Sequence, residues 1–279
     1  MRSVYDVAMI ELATRRLEGR TALVIGGGTG FGRATAELFA AHGAHVVIAG
    51  RRLDVATEAA NSIGGSAVEC DITDEAQVET MVNRAGSERG RLDVSVNYAG
   101  FERSTPLKDL TSEILRPMVE AHLIGAISVM RHVALAMTTF GHGGSIISIS
   151  SLTAHNPGAG LIAYGASKRA LEYATEIAAV ELGPAGIRVN CIAPHLIETP
   201  MTAGHFQKPL AIEAIRMQTP LGRMGDVSDV AKCALYLASD DSSYVSGQTI
   251  LVDGGASTQK LPSRTDYELL AAARPDLLK

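Results

Sequence analysis

Tyr164 and Lys168 stand four residues apart in the run Tyr164-Gly-Ala-Ser-Lys168, and Ser151 lies thirteen residues before the tyrosine. A helix advances about 3.6 residues per turn, so a phenol and an ammonium at i and i+4 share a face and can act on one substrate atom. A free tyrosine, with a pKa of about 10, exchanges its proton poorly near neutrality; a neighbouring cation favours the phenolate and brings that pKa toward the working range. A hydroxyl from Ser151 can then hydrogen-bond the reacting oxygen. Tyr-x-x-x-Lys also occurs on solvated helix faces, so the chemistry depends on elements that hold these groups over a ligand.

Those elements are legible. Strand-like runs fall at Thr21–Ile25, His45–Ala49, Ala67–Cys70, Leu92–Asn97, Ser145–Ser150, Ile187–Ile192 and Thr249–Val252. Between most of them lie stretches of helical periodicity: Arg33–Ala41, Leu53–Ile63, Glu75–Arg84 and Tyr164–Leu182. Repeated βαβ units need right-handed crossovers, cover both faces of a parallel sheet, and put ligands at the strands' carboxyl ends near the point where strand order reverses. The expected fold is therefore α/β, a Rossmann-type doubly wound parallel sheet of about seven strands with helices on both faces.

The first strand runs into Gly26, Gly27, Gly28, Thr29, Gly30, Phe31 and Gly32. A helix starting there presents unsatisfied N–H groups and the positive end of its dipole to an anion, and glycine lets the backbone approach a pyrophosphate closely. This reads as a dinucleotide site. At the end of the second strand an acidic side chain would bind a ribose 2′-hydroxyl and repel a 2′-phosphate; here Gly50 offers no charge and Arg51 and Arg52 offer two cations. NADP(H) is favoured, and NAD(H) stays open because either arginine can instead serve the next helix.

In these motifs the chain, from about Gly19 to Gly255, resembles the short-chain dehydrogenase/reductase family in its standard-length form. Gly26-x-x-x-Gly30-x-Gly32 is similar to the family's cofactor turn, Asp71-Ile72-Thr73 to its adenine-side motif and Asn97-Tyr98-Ala99-Gly100 to Asn-Asn-Ala-Gly. Pro194-His-Leu-Ile197-Glu-Thr199 is similar to Pro-Gly-x-Ile-x-Thr, and Ser246–Gly255 to the closing strand and turn. The resemblance implies a catalytic set of Ser151, Tyr164 and Lys168. Tyr164 would protonate the alkoxide that develops when hydride reaches a carbonyl carbon, Ser151 would polarise that oxygen, and Lys168 would lower the tyrosine pKa.

The same resemblance implies the cofactor contacts. Gly26, Gly28, Thr29, Gly30, Phe31 and Gly32 would surround the phosphates, with Arg51 and Arg52 at the adenosine end. Asp71 would hydrogen-bond the adenine beside Ile72, and Asn97, Ala99 and Gly100 would line the adenine-ribose side. Pro194, Ile197 and Thr199 would lie on the nicotinamide side, Ile197 and Thr199 holding the carboxamide, while Tyr164 and Lys168 bind the nicotinamide ribose. Three residues depart from the pattern. His122 replaces an asparagine whose backbone carbonyl holds a water linked to the lysine, a role open to any side chain; Tyr98 replaces an asparagine; His195 replaces a glycine and should narrow the nicotinamide pocket. Thr29 stands at a position that is basic in some NADP-preferring relatives, which again leaves NAD(H) open.

The 279 residues show no linker between alternating elements, consistent with one domain over 19–256, a short extension over 1–18, and a tail over 257–279 with a short helix at Tyr267–Arg274. Aromatics make up 4% and tryptophan is absent, as suits an aliphatic parallel-sheet core, and a net charge of −5 gives no support to nucleic-acid binding. No apolar run reaches the ~18 residues of a membrane span, and Met1 to Arg20 lacks a signal peptide's apolar centre. With Cys70, Cys191 and Cys233 widely spaced, a cytoplasmic protein without disulfides is expected.

His122, His155, His195 and His205 share no helical ligand spacing, so no metal is expected, and His155 and His195 are the better candidates for touching substrate. The segment over 195–222 is apolar yet punctuated by Pro200, Gly204, Pro209 and Pro220, as in a lid over a small apolar carbonyl or alcohol, or an ordinary surface connection. Ala166, Ala170, Ala174 and Ala178 form a strip that permits close helix packing, and the resemblance implies a homotetramer or dimer through that helix. The leading expectation is an NADP(H)-dependent oxidoreductase interconverting a ketone and a secondary alcohol. The alternatives are a catalytically impaired dinucleotide-binding regulator, motivated by His122 and His195, and an enoyl-thioester reductase, suggested by the Gly26–Gly32 turn.

Overall fold

The computed structural model describes residues 15–258, with Glu268 and Ala272 beyond them. Most of the expected N-terminal extension and of the C-terminal tail, with its helix at Tyr267–Arg274, lies outside the described residues. The first half of the chain builds β1 (Thr21–Ile25), α1 (Gly30–Ala41), β2 (His45–Gly50), α2 (Leu53–Ser62), β3 (Ser66–Glu69), α3 (Glu75–Ser87) and β4 (Val94–Asn97). A long helical stretch follows as α4 (Ser112–Val119) and α5 (Gly125–Phe140), joined by a π turn over Glu120–Ile124. Then come β5 (Gly144–Ile149), α6 (Ile162–Leu182), β6 (Ile187–Pro194), the short α7 (Ala203–Phe206) and α8 (Pro209–Met217), α9 (Val227–Ala238) and β7 (Thr249–Val252).

All seven expected strands form one parallel sheet in the order β3-β2-β1-β4-β5-β6-β7. Both faces are covered, which is why strands such as β1 are buried at every residue and read as continuous apolar runs. One face packs Phe39 of α1, Ala56 of α2 and Val230 of α9 against the sheet. The other packs Met81 of α3, Met137 of α5 and Leu171 of α6. Full burial of a Leu, Ile, Phe or Met side chain contributes about 1.5–3 kcal/mol each, so these layers leave little freedom in where the strand ends fall.

The chain builds outward from β1 to β3, then returns across the sheet to β4 on the opposite side of β1. A crevice opens where that order reverses, at the carboxyl ends of β1 and β4. The helices there begin earlier than periodicity alone indicates. α1 starts at Gly30 rather than Arg33, because the glycine turn supplies its first residues, and α6 starts at Ile162.

The stretch Ser112–Phe140 is long and apolar enough to cross a membrane by length and composition. In this fold it is a core helix, with Val129, Met130, Val133 and Met137 buried against the sheet. Pro117 lies within α4, and the π turn places His122 inward, at 2% exposure. Single wide turns of this kind tend to fall at functional sites.

Candidate active site

The turn after β1 has the shape of an anion cradle. Gly26 (φ +75°) and Gly30 (φ +53°) adopt left-handed backbone that favours glycine. At Gly32 contact is the constraint, since a Cβ would lie 2.3 Å from the Gly26 carbonyl oxygen. Thr29 caps α1 in an extended conformation without a side-chain hydrogen bond to the helix, so the first N–H groups are left for an external acceptor. These features fit a dinucleotide pyrophosphate.

Ser151, Tyr164 and Lys168 converge beyond this turn on the wall of a cavity of about 620 Å³. Lys168 is 2% exposed, and its Nζ donates to the carbonyl of Ile149 at 2.7 Å. It lies 5.6 Å from the centroid of the Tyr164 ring. Ser151 Oγ accepts from the Thr153 amide at 3.2 Å and contacts the Thr153 hydroxyl at 2.9 Å. Burial pushes the Tyr164 hydroxyl up to about 12; its bond with Ser151 opposes that rise and the Glu102 carboxylate adds to it. Burial brings Lys168 down to about 8 against the pull of Cys191 and Glu172. An ammonium one turn away would lower a tyrosine pKa, but at Tyr164 desolvation wins instead. Tyr164 is here a neutral phenol, the form that donates a proton.

His122 departs from the expectation that only its backbone matters. Its Nε2 donates to the Phe101 carbonyl at 2.6 Å, and its ring stands edge-on to Tyr164 with centroids 5.0 Å apart. It also rests on Gly100, where a Cβ would come within 2.4 Å of the imidazole. Nδ1 is buried and has no partner among the described residues. Burial, reinforced by Lys168 and opposed by the Phe101 bond, lowers its pKa from 6.5 to about 3. The folded chain therefore refuses a proton that the unfolded chain takes below pH 6.5, and stability falls as pH drops through that value toward about 3.

His122→Asn should flatten this acid limb in denaturation measured against pH. Turnover should stay within about tenfold of wild type, less than ~1.4 kcal/mol of barrier, because the imidazole is neutral at working pH. A loss beyond about a hundredfold with the fold intact would assign the ring a proton-relay role.

The expected cofactor residues divide between two cavities. Gly26, Thr29, Gly30, Phe31, Gly32, Pro194, Ile197 and Thr199 line the first, together with both arginines. Asp71 and Ile72 line a second, of about 540 Å³, which shares Arg51, Ala99 and Gly100 with it. Asn97 and Gly28 line neither. The Asn97 Oδ1 accepts the Ala99 amide at 3.0 Å and shapes the turn, while Gly28 faces Val55. Arg51 and Arg52 have no ion-pair partner among the described residues, whereas Arg33 pairs with Glu37 and Glu58.

The remaining departures separate. His195 lines the cavity, its pKa lowered by burial against the pull of Asp253. His155 does not line the cavity; following the short turn Leu152–Ala154, it hydrogen-bonds Glu172, 3.0 Å away. Tyr98 is buried and bonds Thr35 at 2.7 Å, tying the end of β4 to α1. Glu102, which the sequence reading passed over, lines the cavity 3.8 Å from His205. No cluster that could hold a metal occurs among the described residues.

A family model described as enoyl-(acyl carrier protein) reductase matches residues 26–257. Borneol dehydrogenase, mitochondrial, from Lavandula x intermedia is 38% identical over 251 residues, 89% of this chain and 95% of that protein. Momilactone A synthase from Oryza sativa subsp. japonica is 40% identical over 254 residues, 87% of this chain and 92% of that one. Among solved structures, a short-chain type dehydrogenase/reductase from Mycobacterium ulcerans superposes with a TM-score of 0.84 at 36% identity, covering 93% of this chain and 95% of that one.

Proposed function

Because the chain belongs to the short-chain dehydrogenase/reductase family, we propose that it is an NADP(H)-dependent oxidoreductase interconverting a ketone and a secondary alcohol on a small apolar substrate. The observation that carries this reading is the meeting of Ser151, Tyr164 and Lys168 in one cavity with the glycine turn and with Arg51 and Arg52, which have no ion-pair partner among the described residues. Bound nicotinamide supplies the hydride equivalent. The chain's part is to bind and orient: the turn from Gly26 to Gly32 takes the phosphates, Arg51 and Arg52 the 2′-phosphate, and Thr199 and Ile197 the carboxamide side. Tyr164 donates its proton to the substrate oxygen in the reductive direction, and Ser151 hydrogen-bonds that same oxygen. Lys168, anchored on the Ile149 carbonyl, presents positive charge beneath the phenol as it turns anionic.

Supporting the substrate class, Leu152, Leu161, Leu196, Met201 and Ile215 line the cavity, several of them from the proposed lid over 195–222. A relative is named for dehydrogenating borneol, an alcohol. A panel of apolar ketones and secondary alcohols, assayed with both reduced and both oxidised cofactors, tests the reading. Turnover with NADPH ahead of NADH is expected; cofactor binding without turnover of any member would favour a regulatory protein. The description of the matching family model favours a second reading, an enoyl-thioester reductase, and an enoyl-thioester in the same panel separates the two.

The proposed assembly is a homotetramer or dimer, supported by exposed apolar residues on α5 and α6, among them Leu135, Tyr173, Ile177 and Val180. A monomer mass by light scattering would overturn it. Three unpaired cysteines fit a reducing compartment, and the cytoplasm is proposed. A relative carries the word mitochondrial in its name, so imaging of the tagged full chain decides between the two compartments.

A further inference from the structure

Glu172 lies one turn beyond Lys168 on α6 and is 1% exposed. A buried carboxylate is costly unless several donors satisfy it. Here Oε1 accepts the Ser150 hydroxyl at 2.6 Å and His155 Nε2 at 3.0 Å, while Oε2 accepts an Arg169 nitrogen at 2.8 Å. Ser150 precedes Ser151, and His155 closes the short turn that carries Thr153, the partner of Ser151 Oγ. One side chain thus ties the end of β5 and its following turn to the helix that bears Tyr164 and Lys168.

We propose that Glu172 is the positioning residue of this active site, setting the placement of Ser151 against Tyr164 and supplying the negative charge that holds Lys168 as a cation. The first part rests on the three hydrogen bonds. The second rests on placement: Lys168 is buried, its one hydrogen bond among the described residues goes to a neutral carbonyl, and Glu172, one turn further along, is the buried carboxylate of the same helix. The titratable groups facing Lys168 are Tyr164 and Glu172 on its own helix, His122 on the π turn and Cys191 on β6. Those facing Glu172 are Lys168 and Arg169 on α6, His155 after β5, and Cys191. Burial opposes the ammonium and Glu172 favours it, while the Cys191 thiol, pushed up to about 12, and the His122 imidazole, lowered to about 3, are neutral across the range of the test.

The test rests on the reading that Lys168 binds the nicotinamide ribose, and its deciding arm, cofactor binding against pH, needs no substrate. NADPH and NADH are titrated into the full-length wild type, Glu172→Gln and Glu172→Ala across the neutral-to-alkaline range. Affinity should fall as Lys168 loses its proton, and in Glu172→Gln that fall should come at lower pH by about one unit. The amide still accepts from Ser150 and His155, so a purely structural role predicts no such displacement. Glu172→Ala also frees the turn and should lower kcat by about a hundredfold with KM nearly unchanged, the scale of a 1 Å misplacement. Should the alanine variant fail to fold, the glutamine variant decides alone. Identical pH midpoints in wild type and Glu172→Gln, or no pH dependence in wild type, would overturn the inference. If neither dinucleotide binds wild type, the cofactor reading itself fails and takes the inference with it.

Discussion

Tyr164→Phe abolishes turnover, by about 10²–10⁴-fold, and leaves cofactor affinity within about threefold. The expectation follows from separating what the ring does from what the hydroxyl does. The ring packs edge-on against His122 and covers Lys168, and phenylalanine keeps both contacts. Lys168 keeps its bond to the Ile149 carbonyl, so the lysine's contact on the ribose side is retained although the phenol's is lost. What disappears is the phenolic proton at the cavity wall, on the hydroxyl that bonds Ser151. The loss should therefore fall on kcat, with little change in substrate KM, as for an interaction made only in the transition state. Steady-state kinetics with cofactor titration checks it, and residual activity within tenfold of wild type would remove Tyr164 from the chemistry.

Arg51→Asp should shift preference from NADP(H) toward NAD(H). Arg51 lines both cavities, follows a strand that ends in uncharged Gly50, and is paired to nothing among the described residues. A guanidinium can grip a 2′-phosphate with two parallel hydrogen bonds; a carboxylate repels that phosphate and accepts from a ribose hydroxyl. A charge-assisted hydrogen bond contributes about 1.5–3 kcal/mol, so NADP(H) affinity should drop about ten- to a hundredfold before repulsion is counted. Arg52, at the N-cap of α2, lines the same cavity and recovers part of the loss. Titrations of both cofactors into both proteins decide it. A wild type that already prefers NAD(H), or a ratio that the substitution leaves alone, would make the arginine structural.

The strands were legible because a sheet covered on both faces is built mainly from apolar runs, and all seven fell where those runs lie. Ser151, Tyr164 and Lys168 were legible for a related reason: a four-residue spacing on a helix and a serine just past a strand are local facts, and the fold only had to bring them together. Burial was not local. The rise in the Tyr164 pKa comes from burial, with the Glu102 carboxylate adding to it, and no spacing encodes either. His155, expected near substrate, hydrogen-bonds Glu172 and does not line the cavity, a pairing across seventeen residues that its own position does not reveal. Asn97 lies at the expected place, yet its side chain serves the turn rather than the cavity. Glu172 had a signal, the same i+4 spacing that singled out Tyr164 and Lys168, but buried and solvated carboxylates look alike in sequence. The wide turn at Glu120–Ile124 and the contact of His122 with Gly100 had none.

Lys168 is held by the main-chain oxygen of Ile149 rather than by a side chain. Every amino acid brings that oxygen, so the anchor survives any substitution at position 149 that leaves the strand in register. Mutational drift can rewrite the neighbourhood of the lysine without erasing what it is moored to. The site's weak point lies in the backbone, where a displaced strand end would unmoor the ammonium although every residue named above were still present.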